Sequence, residues 1–98
     1  MSQQIDIIVP IYNGLEDVKK CVDSVKKNTD LSRHRLILVD DKSPDGNVLP
    51  YLKSVESDSI HVIESPVNEG FSASVNKGMQ YSDRDVILLN SDTIVTKG

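Results

Sequence analysis

Two acidic clusters in this chain have the residue types to handle a nucleotide. Asp40-Asp41 opens the run Asp40-Asp41-Lys42-Ser43-Pro44-Asp45-Gly46, and Asn90-Ser91-Asp92-Thr93 forms the other. A carboxylate facing a ligand accepts a hydrogen bond from a ring N–H or a ribose hydroxyl, which suits it to read a uracil-type base. A carboxylate with amide and hydroxyl oxygens beside it offers hard ligands to Mg2+ or Mn2+, ions that take one or two protein carboxylates plus phosphate and water. Each cluster is also good turn material, since Asp, Asn, Ser and Gly favour turns. Neither decides the matter alone.

The elements that must carry these residues argue for convergence. Apolar runs Ile5-Asp6-Ile7-Ile8-Val9, Leu36-Ile37-Leu38-Val39, Ile60-His61-Val62-Ile63 and Val86-Ile87-Leu88-Leu89 each break into a polar cluster. Helical patterns fill the gaps, so the order reads βαβαβαβ: an α/β domain with an open, mostly parallel four-stranded sheet and helices on both faces. The carboxyl ends of parallel strands share one edge, where open α/β sheets bind ligands. Tyr12, Asp40, Asp41 and Asp92 therefore gather on one rim. Alternation sends Asp41 to the side of Ile37 and Val39 and Asp40 to the side of Leu38, so the two do not share a proton.

Asn13 or Gly14 is expected to cap the first helix, which carries Leu15, Val18, Val22 and Val25 on its apolar side and stops at Asn28-Thr29-Asp30. Asn47 is expected to cap a second, with Leu49, Leu52 and Val55 inward. A third runs from about Phe71 to Tyr81, with Phe71, Val75 and Met79 stacked as its core stripe. Ninety-eight residues make one domain, 1–98. Thr93-Ile94-Val95 begins another apolar stretch just as the chain stops. That predicts the front half of something longer, with an unpaired fourth-strand edge prone to self-association.

Composition narrows the function classes. Hydrophobic content of 38%, charged content of 27% and a net charge of −4 describe a globular chain without the basic surface of a nucleic-acid binder. No apolar stretch approaches the ~20 residues of a membrane span. No secretory leader is visible, so a cytoplasmic location is the default expectation. The lone Cys21 falls among apolar helix positions and reads as a buried small side chain. Only Gly14 stands where a dinucleotide fold needs three glycines, and no phosphate-binding G-x-x-x-x-G-K-[ST] occurs. His34 and His61 have no metal-spaced partners, and Ser72 and Ser74 have no paired base.

Four segments in order carry a resemblance: Ile8-Val9-Pro10-Ile11-Tyr12-Asn13, Val39 through Gly46, Asn68-Glu69-Gly70-Phe71, and Leu89-Asn90-Ser91-Asp92-Thr93. Together they resemble the amino-terminal half of family 2 glycosyltransferases, which have the Rossmann-like GT-A fold. The resemblance implies inverting transfer of a sugar from a nucleoside diphosphate donor to an acceptor. It places Pro10, Tyr12 and Asn13 around the nucleobase, with Asp41 reading the base and Asp40 supporting the same loop. Asp92 matches the last acid of a D-x-D-type motif for Mn2+ or Mg2+, with Asn90 in place of its first acid. Asn76-Lys77-Gly78 resembles a donor-side helix motif, although Val75 stands where many members carry arginine. The catalytic base is expected beyond Gly98, so the isolated chain is expected to be inactive. Two alternatives are a non-catalytic nucleotide-binding or assembly module and a receiver-like signalling domain. The latter is disfavoured by where the acids fall.

Overall fold

The computed structural model describes residues 4–68 and 70–91, without the side chains of Phe71 and Ser72. Asp92, Glu69 and Ile94-Val95, named above, lie outside the described residues. The elements are β1 (Ile5–Ile11), α1 (Leu15–Asn28), β2 (Arg35–Asp40), α2 (Val48–Val55), β3 (Ile60–Glu64), α3 (Phe71–Tyr81) and β4 (Asp85–Leu88). The four strands lie side by side as β3-β2-β1-β4, every pair parallel. The expected α/β architecture is therefore present. From β1 the chain steps outward to β2 and β3, then crosses back over the sheet to place β4 on the other side of β1. The order reverses between β1 and β4, the kind of switch point outside which such sheets bind ligands.

α1 and α2 lie on one face of the sheet and α3 on the other, the arrangement that right-handed crossovers produce when the strand order reverses. Val18, Cys21, Val22 and Val25 of α1 and Val48 and Leu52 of α2 pack on Val9, Ile11, Leu36, Leu38 and Ile60. Ile8, Ile37 and Val39, with Val86 and Ile63 beside them, form the core of the opposite face. Cys21 is buried as expected, its S–H directed at the carbonyl of Asn90, 3.8 Å away.

Two helix faces depart from expectation. α2 begins at Val48, directly after the expected cap Asn47, but its buried pair is Val48 and Leu52, with Val55 packed beside them and Leu49 turned partly outward. In α3 the Val75–Met79 side is not the core side: Met79 is 49% exposed, while Ser74 and Gly78 are the buried positions. Small residues win there because the helix lies very close to the sheet. A Cβ added at Gly78 would sit 2.6 Å from Ile8 Cγ2. Hydrophobicity identifies a helix's core face only when side chains, rather than near-backbone contact, fill the gap.

At the amino ends of the strands, Asp6 is fully buried beneath a two-pronged hydrogen bond from Arg35 (Nε to Oδ1 2.8 Å, Nη2 to Oδ2 2.6 Å). The Ser82 hydroxyl also donates to it, and Arg84 stands 3.7 Å away. Both histidines have structural partners: His34 Nδ1 accepts the N–H of Ile5, and His61 is bonded to the Tyr81 hydroxyl. Among the described residues no helix is long and apolar enough to cross a membrane.

Candidate functional site

The loops leaving β1 and β2 are tied to each other before they reach the rim. Asn13 has a left-handed backbone (φ +58°), a conformation asparagine tolerates better than most residues. Its N–H donates to Ser43 Oγ at 2.8 Å, and its side-chain oxygen accepts the N–H of Asp45 at 2.9 Å. Ser43 in turn donates its hydroxyl to Asp40 Oδ1 at 2.6 Å, and the same oxygen accepts the Ser43 N–H at 3.1 Å. Asp40, 3% exposed, is thus the anchor of a chain that runs Asp40–Ser43–Asn13. The expected loop-supporting role of Asp40 has a geometric basis, and Gly14 (φ +70°) is the residue at the N-cap of α1.

Asp41 points the other way, as strand alternation requires. Its N–H continues the β1–β2 ladder by donating to Ile11 O at 2.8 Å. Its carboxylate reaches the amino end of α3, where Oδ2 accepts the Gly70 N–H at 2.9 Å. It lines a cleft of about 90 Å³ with Pro10, Ile11, Tyr12 and Ser74. The Tyr12 ring is half exposed at the mouth. A buried carboxylate next to an exposed aromatic face can pair with a flat heterocycle's N–H while the ring is covered.

The structure thus brings Pro10, Tyr12 and Asp41 together and sets Asn13 and Asp40 into the loops that support them. Asn76 is not among the cleft residues. It is exposed on α3, two positions past buried Ser74 and so roughly 200° around the helix from it. Asn90 is exposed just past β4, and among the described residues no three His, Cys, Asp or Glu side chains converge as a metal cluster. A wider hollow of about 520 Å³ lies beside Asn13, lined by Gly14, Leu15, Glu16, Asp17 and Asp45. Its three carboxylates repel a diphosphate, which makes the smaller cleft at Asp41 the better candidate.

Two residues escaped the sequence reading. Gly70 matters through its backbone N–H, which its place in Asn68-Glu69-Gly70-Phe71 did not reveal. Ser74 was considered only as a nucleophile without a base. Its hydroxyl is buried and has no hydrogen-bond partner among the described residues, a property shared with Ser65 on the β3 side of the rim. The available signal was spacing, since Ser74 and Gly78 form the i, i+4 pair of small residues in α3.

A family model described as glycosyl transferase family 2 matches residues 6–98. The glycosyltransferase AglE of Haloferax volcanii is 26% identical over 85 residues, which are 85% of this chain and 28% of AglE. The structure of S. aureus TarS 1-349 superposes with a TM-score of 0.83 at 21% identity, over 97% of this chain and 29% of that one. The mannosyltransferase PcManGT from Pyrobaculum calidifontis, in complex with GDP-Man and Mn2+, superposes at 0.79 and 18% identity, over 92% of this chain and 28% of that one. The chain spans less than a third of the length of these relatives, and at such identities the structural likeness is one of fold, the GT-A fold. Motif order, sheet order and the family match agree: the chain belongs to glycosyl transferase family 2.

Proposed function

We propose that this chain is the donor-nucleotide half of an inverting glycosyltransferase, which moves a sugar from a nucleoside diphosphate to an acceptor hydroxyl. The observation that carries the reading is the buried Asp41 carboxylate, held by the Gly70 N–H and facing a cleft that Tyr12 borders. In this reading Asp41 accepts the base N–H, Tyr12 covers the ring, and the Asp40–Ser43–Asn13 chain keeps both loops in place. TarS with UDP-GlcNAc and PcManGT with GDP-Man give the reading support from proteins of the same fold.

Asp92 and Asn90 are the residues we assign to Mn2+ or Mg2+. Both offer oxygen alone, the donor set these hard ions take. Bound there, the ion would supply charge stabilisation to the departing diphosphate. Asn90 contributes a neutral oxygen where an acid would add a charge, so much of the coordination falls to Asp92, phosphate and water. No described carboxylate is assigned as the base toward the acceptor.

Titration calorimetry with UDP and GDP, each with and without Mn2+, tests the proposal. Binding of either, strengthened by Mn2+, is expected; heatless titrations of both contradict it. A second reading, an assembly module that binds nucleotide without catalysis, draws on the outer edge of β4. Among the described residues no strand pairs with that edge, and Ile87 and Leu88 beside it are 50% and 47% exposed. Self-association through this edge is part of both readings. Light scattering that reports only monomer at high protein concentration would remove it.

A further inference from the structure

The buried hydroxyl of Ser74 is unexplained by the fold. Ser74 is fully buried, and among the described residues its Oγ has no hydrogen-bond partner. A serine inside a helix usually returns its hydroxyl to the carbonyl four residues back. Here that carbonyl, on Gly70, receives the backbone N–H of Ser74 at 3.1 Å, and the hydroxyl makes no bond to it. Alanine would fill the same space, be a better helix former, and leave nothing orphaned. The packing of α3 on the sheet therefore gives no reason for a serine at this position.

Its neighbours supply one. Ser74 lines the same cleft as Asp41, Pro10, Ile11 and Tyr12. An ionised carboxylate only accepts hydrogen bonds, whereas a serine hydroxyl also donates. A base edge that carries a ring N–H next to a carbonyl oxygen would satisfy both at once. Uracil presents that lactam edge through N3–H and an adjacent oxygen, and guanine through N1–H and O6. Cytosine and adenine present a ring-nitrogen lone pair beside an amino group, which sets a lone pair against the Asp41 carboxylate. The cleft's volume of about 90 Å³ leaves room for a base edge rather than a whole nucleotide. Contact with that edge requires the Ser74 hydroxyl to turn toward the cleft, a change between staggered χ1 wells.

We infer that Ser74 is a specificity-determining residue: its Oγ–H donates to the carbonyl oxygen flanking the ring N–H that Asp41 accepts, so the pair selects a lactam base over an amino base. The inference rests on the nucleotide-binding reading above and deepens it. The test is calorimetric titration of the wild-type chain and Ser74→Ala with UDP, GDP, CDP and ADP in the absence of metal. Wild type is expected to bind UDP or GDP more tightly than CDP and ADP. Ser74→Ala is expected to weaken the favoured lactam nucleotide about threefold to tenfold, the range for loss of one neutral hydrogen bond, and to leave CDP and ADP unchanged. Its melting temperature is expected to hold or rise, because an orphaned hydroxyl has been removed. Unchanged affinity for UDP and GDP in the variant overturns the inference, as does an equal loss for all four nucleotides, which marks a packing role. If wild type binds none of the four, the nucleotide-binding reading itself fails, an outcome distinct from either.

Discussion

Asp41 and Gly70 are 29 residues apart in sequence, yet the Asp41 carboxylate accepts the Gly70 N–H at 2.9 Å. The bond joins the end of β2 to the start of α3. Gly70 has φ +90°, a backbone region side-chain-bearing residues avoid, at the point where the chain turns into α3. The bond helps to orient the carboxylate and ties it to the place where α3 enters the fold, while the same N–H also lies 3.2 Å from Asn68 Oδ1. The cleft between them depends on both.

Ser43 is the connector on the opposite side of the rim. Ser43→Ala takes a donor from Asp40 and an acceptor from the Asn13 N–H, all partly or fully buried. Leaving such groups unpaired costs about 1–3 kcal/mol. Urea unfolding should show a loss of that size, and nucleotide affinity should fall because the loop carrying Tyr12 is less fixed. An unchanged midpoint would mean water replaces the hydroxyl without cost.

Gly78→Ala sets two effects against each other. Alanine is favoured over glycine inside a helix by about 1 kcal/mol. The new Cβ would stand 2.6 Å from Ile8 Cγ2, on a β-branched side chain that is itself fully buried. Overpacking of this kind costs about 1–3 kcal/mol, so the variant is expected to be less stable on balance. A rise in melting temperature would show that α3 can lift off the sheet freely.

Acid stability should report on Asp6. Burial pushes its pKa up, but hydrogen bonds from Arg35 and Ser82 and the charges of Arg35 and Arg84 outweigh this and leave it below its ordinary value of 3.8. A carboxylate depressed in the folded state stabilises fully above its unfolded value. That contribution is lost as pH falls through the folded one. Asp6→Asn should therefore lower stability at neutral pH, by less than the about 3–5 kcal/mol of a fully buried broken pair because Arg35 is partly exposed and keeps Asp83 at 3.4 Å, and flatten the loss of stability below about pH 4. Unfolding curves from pH 2 to 7 decide it; parallel acid limbs in the two proteins would exclude Asp6 as a source.

Much of this was legible from the chain alone. Each apolar run ending in a polar cluster is a strand, and alternation assigned Asp40 and Asp41 to opposite faces because the strand period leaves no other choice. The side that α3 buries was not legible. Its period allows either the Val75–Met79 side or the Ser74–Gly78 side to face the sheet, and hydrophobicity favours the wrong one where helix and sheet nearly touch. The start of α2 follows the expected Asn47 cap, yet its buried face takes in Val48: apolar residues stand at both 48 and 49, about 100° apart on the helix, and local pattern does not choose between them. The Asp6–Arg35 pair and the Asp41–Gly70 bond depend on contacts between distant segments, to which local pattern is blind. Asn76, assigned by resemblance, lies on the exposed side of α3 for the same geometric reason that Ser74 is buried.

The central claim gives Asp41 to the base and Asp92 to the ion, and paired titrations of their alanine variants test it most directly. Asp41→Ala should weaken binding of UDP or GDP about tenfold to hundredfold, whether or not Mn2+ is present, because a charged acceptor's hydrogen bond to the base involves no metal. Asp92→Ala should keep the metal-free affinity and lose only the Mn2+ enhancement. Equal losses in the two variants, or a wild-type chain whose affinity ignores Mn2+, would contradict the account.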